Sequence, residues 1–179
     1  PWPRSARGVF SNPVAEHKET RIPGRGTEEM KTNDIRGLFG KGMVGVGLEF
    51  GRPGVSTNFH DVQKGTMAMV KIPGIKFAKG NPVTTNMSDE KTGKLKDDLL
   101  NERSMSAILE MEVPIEQLPK VLETAKQVAK EIDTVFSLEI IYRPNADRTM
   151  DVDKAIKDAG MTPYPNGKFN LGLARPLVP

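Results

Sequence analysis

Gly40, Gly42 and Gly45 stand in G-x-G-x-x-G spacing inside GLFGKGMVGVGLEFGRPG, residues 37–54. In a dinucleotide-binding turn such glycines follow a strand and open a helix, whose N-terminal amides meet a pyrophosphate. Here the order is inverted. TEEMKTNDIRGLF, before the glycines, reads as helix, and VGVGLEF, after them, reads as strand. No helix N-terminus is offered to a phosphate, so the glycines are expected to serve packing. Lys41 is followed by Gly42, so the G-x-x-x-x-G-K-[ST] loop is also missing.

The other residues able to do chemistry are few. The chain has no cysteine, which removes disulfides, thiolate metal sites and a cysteine nucleophile. Its two histidines are His17 and His60, and neither has a partner histidine at the i, i+4 spacing of helical zinc sites. No metal and no cofactor are therefore expected. His60 and Asp61 adjoin in the stretch STNFHDVQKG and are the catalytic candidates, a general base with a neighbouring carboxylate. A solvated histidine in a loop is the plainer reading. Tyr142-Arg143-Pro144-Asn145, with Arg148 close by, follows a strand pattern; Arg143, Asn145 and Arg148 are candidates to bind an anion, against a turn built by Pro144 and Asn145. Glu110, Glu112 and Glu139 fall on the outward positions of two strands, where they could bind cations, receive a basic segment or simply keep the surface soluble.

These residues must be positioned by elements that the periodicity reveals. Val44, Val46, Leu48 and Phe50 alternate with Gly45, Gly47 and Glu49, which predicts a strand over 43–50. A second strand is expected at TMAMVKI, 66–72, making a glycine-rich hairpin over 43–72 with a long loop at its tip. Residues 78–94 read as a polar connection, and Leu95, Leu99 and Leu100 suggest a short helix over 95–102. Ala107, Leu109, Met111 and Val113 mark a strand within 104–113. Ile115, Leu118, Val121, Leu122, Ala125, Val128, Ala129 and Ile132 recur at helical spacing, with Pro119 in the first turn. A strand over 135–142, a helix over about 151–159 and a last strand over 168–174 complete the order strand–helix–strand–helix–strand across 104–174. The expected fold is an α+β two-layer sandwich of ferredoxin-like flavour. Its mixed or antiparallel sheet carries helices on one face and leaves the other open to water or a partner.

Residues 1–26 read differently, as an extended N-terminal arm before a single α+β domain over 27–179. Pro1, Pro3, Pro13 and Pro23 punctuate the arm, Gly24 and Gly26 close it, and apolar periodicity is lacking. Such a segment gains order only by lying on something. Residues 1–80 carry 13 Lys and Arg against 7 Asp and Glu, and residues 81–179 carry 13 against 16. A basic first half suits an acidic partner, a nucleic acid or the acidic half of another copy. The leading expectation is a non-catalytic subunit of a homo- or hetero-oligomer that docks through the arm. Trp2 and Phe10 would be anchors, and Arg4, Arg7, Arg21 and Arg25 pairing groups. The alternatives are a small enzyme or ligand-binding protein with a site between loops 51–65 and 143–149, and an RNA-binding protein using the basic half. Nucleic acid is disfavoured by the glutamates on the outward sheet face. No apolar run approaches the roughly 18 residues of a membrane helix, and PWPRSARGVF lacks the apolar core of a signal peptide, so a soluble, cytoplasmic protein is expected.

ILEMEVPIEQLPKVLETAKQ, 108–127, resembles a stretch in the substrate domain of FAD-linked oxidases, and PNGKFNLG, 165–172, resembles that family's C-terminal tail. The two stretches cover under a fifth of the chain. The family's flavin-binding domain and the histidine-containing segment between the two motifs have no counterpart here. Neither flavin binding nor oxidation is implied, and no residue role is carried over.

Overall fold

A computed structural model describes residues 1–11, 40, 42–52, 54–147 and 149–163. The helix expected over 27–39 and the strand over 168–174 lie outside these residues, as do Arg21, Arg25, Arg148 and His17. The fold is α+β. Its centre is β1 (Met43–Phe50), which forms where the alternation places it. β1 lies antiparallel between β7 (Ala107–Pro114) and β8 (Phe136–Ile141), with Val46 opposite Met111 on one side and Ile140 on the other. The two-residue β3 (Lys76–Phe77) adds antiparallel to the far side of β7, giving the sheet order β3-β7-β1-β8.

That order is two interlocked split β-α-β units. β7 and β8 run parallel with β1 between them and are joined by the long helix of residues 118–131. β1 and β3 run parallel with β7 between them and are joined by the helix of residues 59–69. Parallel strands need such crossovers, and this interleaving is the ferredoxin-like arrangement.

The helix of residues 59–69 corrects the expected hairpin. Residues 57–58 form a two-residue strand, β2, paired with β6 (Arg103–Ser104), and helix α2 (Phe59–Met69) follows directly. The segment 66–72 is the end of this helix and the turn after it, not a strand. Phe59, Val62, Thr66 and Met69 lie on its buried stripe together with Gly65. The polar connection over 78–94 also acquires structure: a single-turn helix, α3 (Pro82–Thr85), and the hairpin of β4 (Met87–Asp89) and β5 (Lys94–Leu95). Leu95 lies in β5 and Leu99 in a 3-10 turn, so the helix expected over 95–102 is replaced by two shorter pieces. The second half follows its periodicity closely: β7, helix α4 (Leu118–Glu131) with Pro119 in its first turn, β8, and helix α5 (Val152–Asp158).

The core lies between the sheet and α2 with α4. Val44, Val46, Leu48 and Phe50 from β1, Leu109, Met111 and Val113 from β7, and Leu118, Val121, Leu122 and Ala125 from α4 are fully buried. The opposite sheet face is not open as expected. Glu49 and Glu110 are each 2% exposed. Residues 78–85 fold over β7 here, and Asn81 Nδ2 donates to Glu110 Oε2 at 2.9 Å. Arg52 caps Glu49 with two hydrogen bonds of 3.2 and 3.0 Å. Burial of a carboxylate demands such donors. Glu112 and Glu139 are half-buried, and Lys76 pairs with Glu112 at 3.1 Å.

The first eleven residues, expected as part of an extended arm, form a turn and the short helix α1 (Ala6–Ser11). Six residues cannot hold a helix alone in water. This one is held by burial of Ala6 and Phe10, the latter edge-to-face on Phe59 at 4.8 Å between ring centroids.

Among the described glycines a very close approach in the core lies between α2 and β1. A Cβ at Gly65 would lie 2.4 Å from Phe50 Cζ, and the Phe50 ring is fully buried. Gly65→Ala would gain about 1 kcal/mol of helix propensity but force overpacking near the upper end of the usual ~1–3 kcal/mol. The expected outcome is a net loss of about 2 kcal/mol, a fall of roughly 4–8 °C in Tm for a chain of this size. Thermal unfolding followed by circular dichroism checks it; a raised Tm would show slack around the Phe50 ring.

Candidate interaction surface

His60 and Asp61 sit in the first turn of α2, about 100° apart around the helix, and they face different environments. His60 is exposed, with Nε2 3.2 Å from Asn101 Oδ1. Asp61 is 1% exposed, and its carboxylate is fully engaged. Oδ2 accepts from Asn58 Nδ2 at 3.0 Å and from the Asp133 amide at 3.2 Å, and Oδ1 accepts from Lys64 Nζ at 3.0 Å. The Asp61 amide in turn donates to Asn58 Oδ1 at 2.8 Å. Asn58 and Asp61 therefore exchange hydrogen bonds much as the two ends of a capping box do. The expected catalytic pair is a helix cap and an exposed imidazole.

The candidate anion site is similarly self-occupied. Asn145 Nδ2 donates to Thr149 Oγ1 at 3.0 Å and to Asp151 Oδ1 at 2.9 Å, and the Tyr142 hydroxyl donates to Asp151 Oδ2 at 2.8 Å. The Thr149 hydroxyl and amide both donate to Asp147, which holds that carboxyl below its usual range. The described part of this turn thus carries the Asp147 and Asp151 carboxylates beside Asn145. Partial burial first, and the hydrogen bond and charge of Asp151 second, push the Tyr142 hydroxyl above its ordinary value of 10.0. Register also separates the two loops of the expected pocket. Phe50 pairs with Phe136 while Gly45 pairs with Ile141, so residue 51 and Arg143 lie at opposite ends of β8. Arg143 is exposed, and among the described residues no site joins it to His60.

The N-terminal candidates are turned onto the chain's own body. Phe10 is buried against Phe59, Arg7 pairs with Glu102, and Trp2 Nε1 donates to Asp98 with Lys96 Nζ 5.2 Å above the indole ring. Trp2 remains 43% exposed, and Arg4 is exposed.

Another place brings functional groups together. At the end of the sheet where β1 leaves and β7 and β8 enter, three connections meet around Gly51. The Gly51 amide donates to the Val135 carbonyl at 2.8 Å. Gly51 has φ of +84°, and a Cβ there would lie 2.8 Å from the Met105 carbonyl oxygen and 2.8 Å from the Ser56 carbonyl carbon. Only glycine allows this conformation at this spacing. Ser56 has φ of +66°, and its carbonyl accepts from Thr134 Oγ1 at 2.6 Å. Packed backbone leaves the side chains outside: Val55 is 57% exposed, Met105 57% and Val135 48%, half of the large hydrophobics exposed among the described residues. Val55 and Val135 border a groove of about 320 Å³, lined by residues 55–58, Arg103 and residues 133–135. Arg103, on β6, and Asp133, after α4, are both exposed on its walls. Helix α1 lies against β6 and borders the same end, with Val9 half-exposed.

The sequence pattern misses Val55, Met105 and Val135 because periodicity assigns apolar residues to buried faces. Met105 continues the inward register of Ala107, Leu109 and Met111, but β7 begins at Ala107 and Met105 falls in the turn. A broader groove of about 920 Å³ runs outside β3, lined by residues 70–79, Glu90, Met111 and Glu112. Its rim carries Lys71, Lys76 and Lys79 together with two glutamates, and so has no single charge preference. Among the described residues no group of three or more His, Asp or Glu side chains could hold a metal ion, and no helix is long and apolar enough to cross a membrane. Comparison with protein-family models, with curated proteins and with solved structures finds no match to this chain.

Two outcomes test this account of the candidate residues. Asp61→Ala should cost about 2–4 kcal/mol, since it strips Lys64, Asn58 and the Asp133 amide of their acceptor, whereas His60→Ala should stay within about 0.5 kcal/mol; urea unfolding of both variants measures the contrast. Tyr142 should titrate above 10.0, and Asp151→Asn should lower its midpoint only partway, because burial raises it independently of Asp151. Carbon-detected NMR of labelled tyrosine, assigned with Tyr142→Phe, reads both.

Proposed function

We propose that this protein is a non-catalytic interaction subunit whose docking surface is the sheet end around Gly51, with α1 and the Trp2 turn as its border. The observation carrying this reading is the convergence of Val55, Met105 and Val135, all about half-exposed, on backbone that hydrogen bonds and a glycine hold in one shape. Exposed apolar side chains are ordinary singly, but a cluster beside polar groups is what a protein interface offers. A rigid surface also loses little conformational entropy on binding. This reading moves the docking residues from the N-terminal segment to its neighbourhood. Phe10 and Arg7 hold α1 on the body and support the surface, while Trp2 and Arg4 stand at its margin.

Native mass spectrometry of the protein purified gently from its source tests the proposal, together with the variant Met105→Asp, Val135→Asp. The wild-type chain should appear in an assembly with itself or another polypeptide. The variant should lose that assembly while its Tm changes little, as surface substitutions do. A wild-type chain found alone, or an assembly indifferent to both substitutions, would sink the idea.

A further inference from the structure

We infer that the occupant of the groove beside Gly51 is a second copy of this chain, placed about a two-fold axis so that Arg103 of each copy faces Asp133 of the other. The inference rests on the reading of this end as a docking surface and specifies its partner. Arg103 and Asp133 stand on the walls of one groove, and among the described residues neither side chain makes a hydrogen bond or ion pair. Asp133 uses only its backbone amide, which donates to Asp61. Three neighbouring charges are already paired: Arg7 with Glu102, Arg52 with Glu49 and Lys64 with Asp61. Within the described residues the groove thus presents one unpaired positive and one unpaired negative group beside an apolar cluster.

A two-fold contact is self-complementary, because whatever residue i meets on its partner, that residue meets i in return. A patch of a single charge sign would repel itself in such a contact. A patch carrying one charge of each sign forms two equivalent ion pairs when it meets its own copy about a two-fold axis. Val55, Met105 and Val135 would then pack against their equivalents and supply the hydrophobic contact, while the charges set partner choice and register more than affinity. The chain's formal net charge of +3 gives little overall repulsion between copies at physiological salt.

Sedimentation velocity of the whole chain over a range of micromolar concentrations tests this. The wild type should approach twice the 19.7 kDa of one chain. Arg103→Asp and Asp133→Arg should each raise the dimer dissociation constant at least tenfold, since each places like charges opposite one another. The double variant, with the charges exchanged, should restore association. Mixing the two single variants should also restore it. In the mixed dimer the two substituted positions face each other with opposite charges, and the unchanged Asp133 of the first copy faces the unchanged Arg103 of the second. Both positions are exposed, and the backbone amide bond from position 133 to Asp61 survives substitution, so matched Tm values separate loss of contact from loss of fold. A dimer unmoved by the single variants, or a mixture that stays monomeric, overturns the inference. A wild-type monomer that instead carries a second polypeptide in native mass spectrometry overturns the two-fold pairing but leaves the interaction subunit standing. A monomer with no second polypeptide removes both.

Discussion

A buried carboxylate is costly unless every lone pair facing the interior finds a donor. Asp61 meets that demand with three donors from three places in the chain: the Asn58 side chain just before α2, Lys64 one turn into it, and the Asp133 amide after α4. Lys64 extends the junction by also donating to the Glu131 carbonyl at 2.8 Å, where a cation suits the C-terminal end of a helix. The start of α2 and the end of α4 are thereby fixed to one point. Everything downstream inherits that geometry. Thr134 reaches the Ser56 carbonyl, Val135 accepts the Gly51 amide, and the walls of the groove take their spacing from bonds that begin at Asp61.

The sheet adds a second constraint. With β1 locked between β7 and β8, its two faces must satisfy different neighbours at every other residue. The valines, Leu48 and Phe50 fill the core against α2 and α4. Gly45, Gly47 and Glu49 face the side that carries Glu110, Glu112 and Glu139. At Gly47 an alanine methyl would stand in ordinary contact with Glu139, 3.6 Å from its Cβ. The glycine run is accordingly a matter of strand packing and turns: Gly42 at φ +79° and Gly51 at φ +84° bracket β1, and a strand rather than a helix follows the G-x-G-x-x-G spacing. Phosphate recognition at a helix N-terminus has no counterpart there.

Periodicity makes some of this legible. β1, β7, α4, β8 and α5 are long or strongly patterned, and their sequences name their buried faces directly, from Val44 to Phe50 and from Leu118 to Val128. α2 is hidden for a specific reason. Two of its inward positions are Gly65 and Thr66, which do not register as hydrophobic, so its stripe looks broken, and the remaining Thr66-Met67-Ala68-Met69 imitates a strand. The signal that identifies the helix is polar: Asn58 followed three residues later by Asp61, a cap exchange in which the carboxylate also attracts attention as a catalytic group. Glu110 is misplaced by the opposite error. Alternation correctly puts it on the face away from the helices, but that face is covered by residues 78–85, a segment too polar and too short in its elements to announce itself.

The proposed interaction surface follows from the same logic read in reverse. A pattern argument explains apolar residues that recur with a period and has nothing to say about those in turns, since turns usually run over the surface with polar side chains. Val55, Met105 and Val135 lie in turns or connections whose backbones are drawn together by the Gly51 junction, and each is about half-exposed. Three such residues in three separate segments contribute nothing to the monomer's core, and exposing them weakens solubility. Their clustering is only visible once β1, β7 and β8 are laid side by side, because Val55, Met105 and Val135 are widely spaced in sequence and adjacent only at the end of the sheet. Function in this chain is therefore sought less in a residue type with special chemistry than in the place where tight backbone contacts force hydrophobic side chains outward, between an arginine and an aspartate that no described group of the monomer pairs.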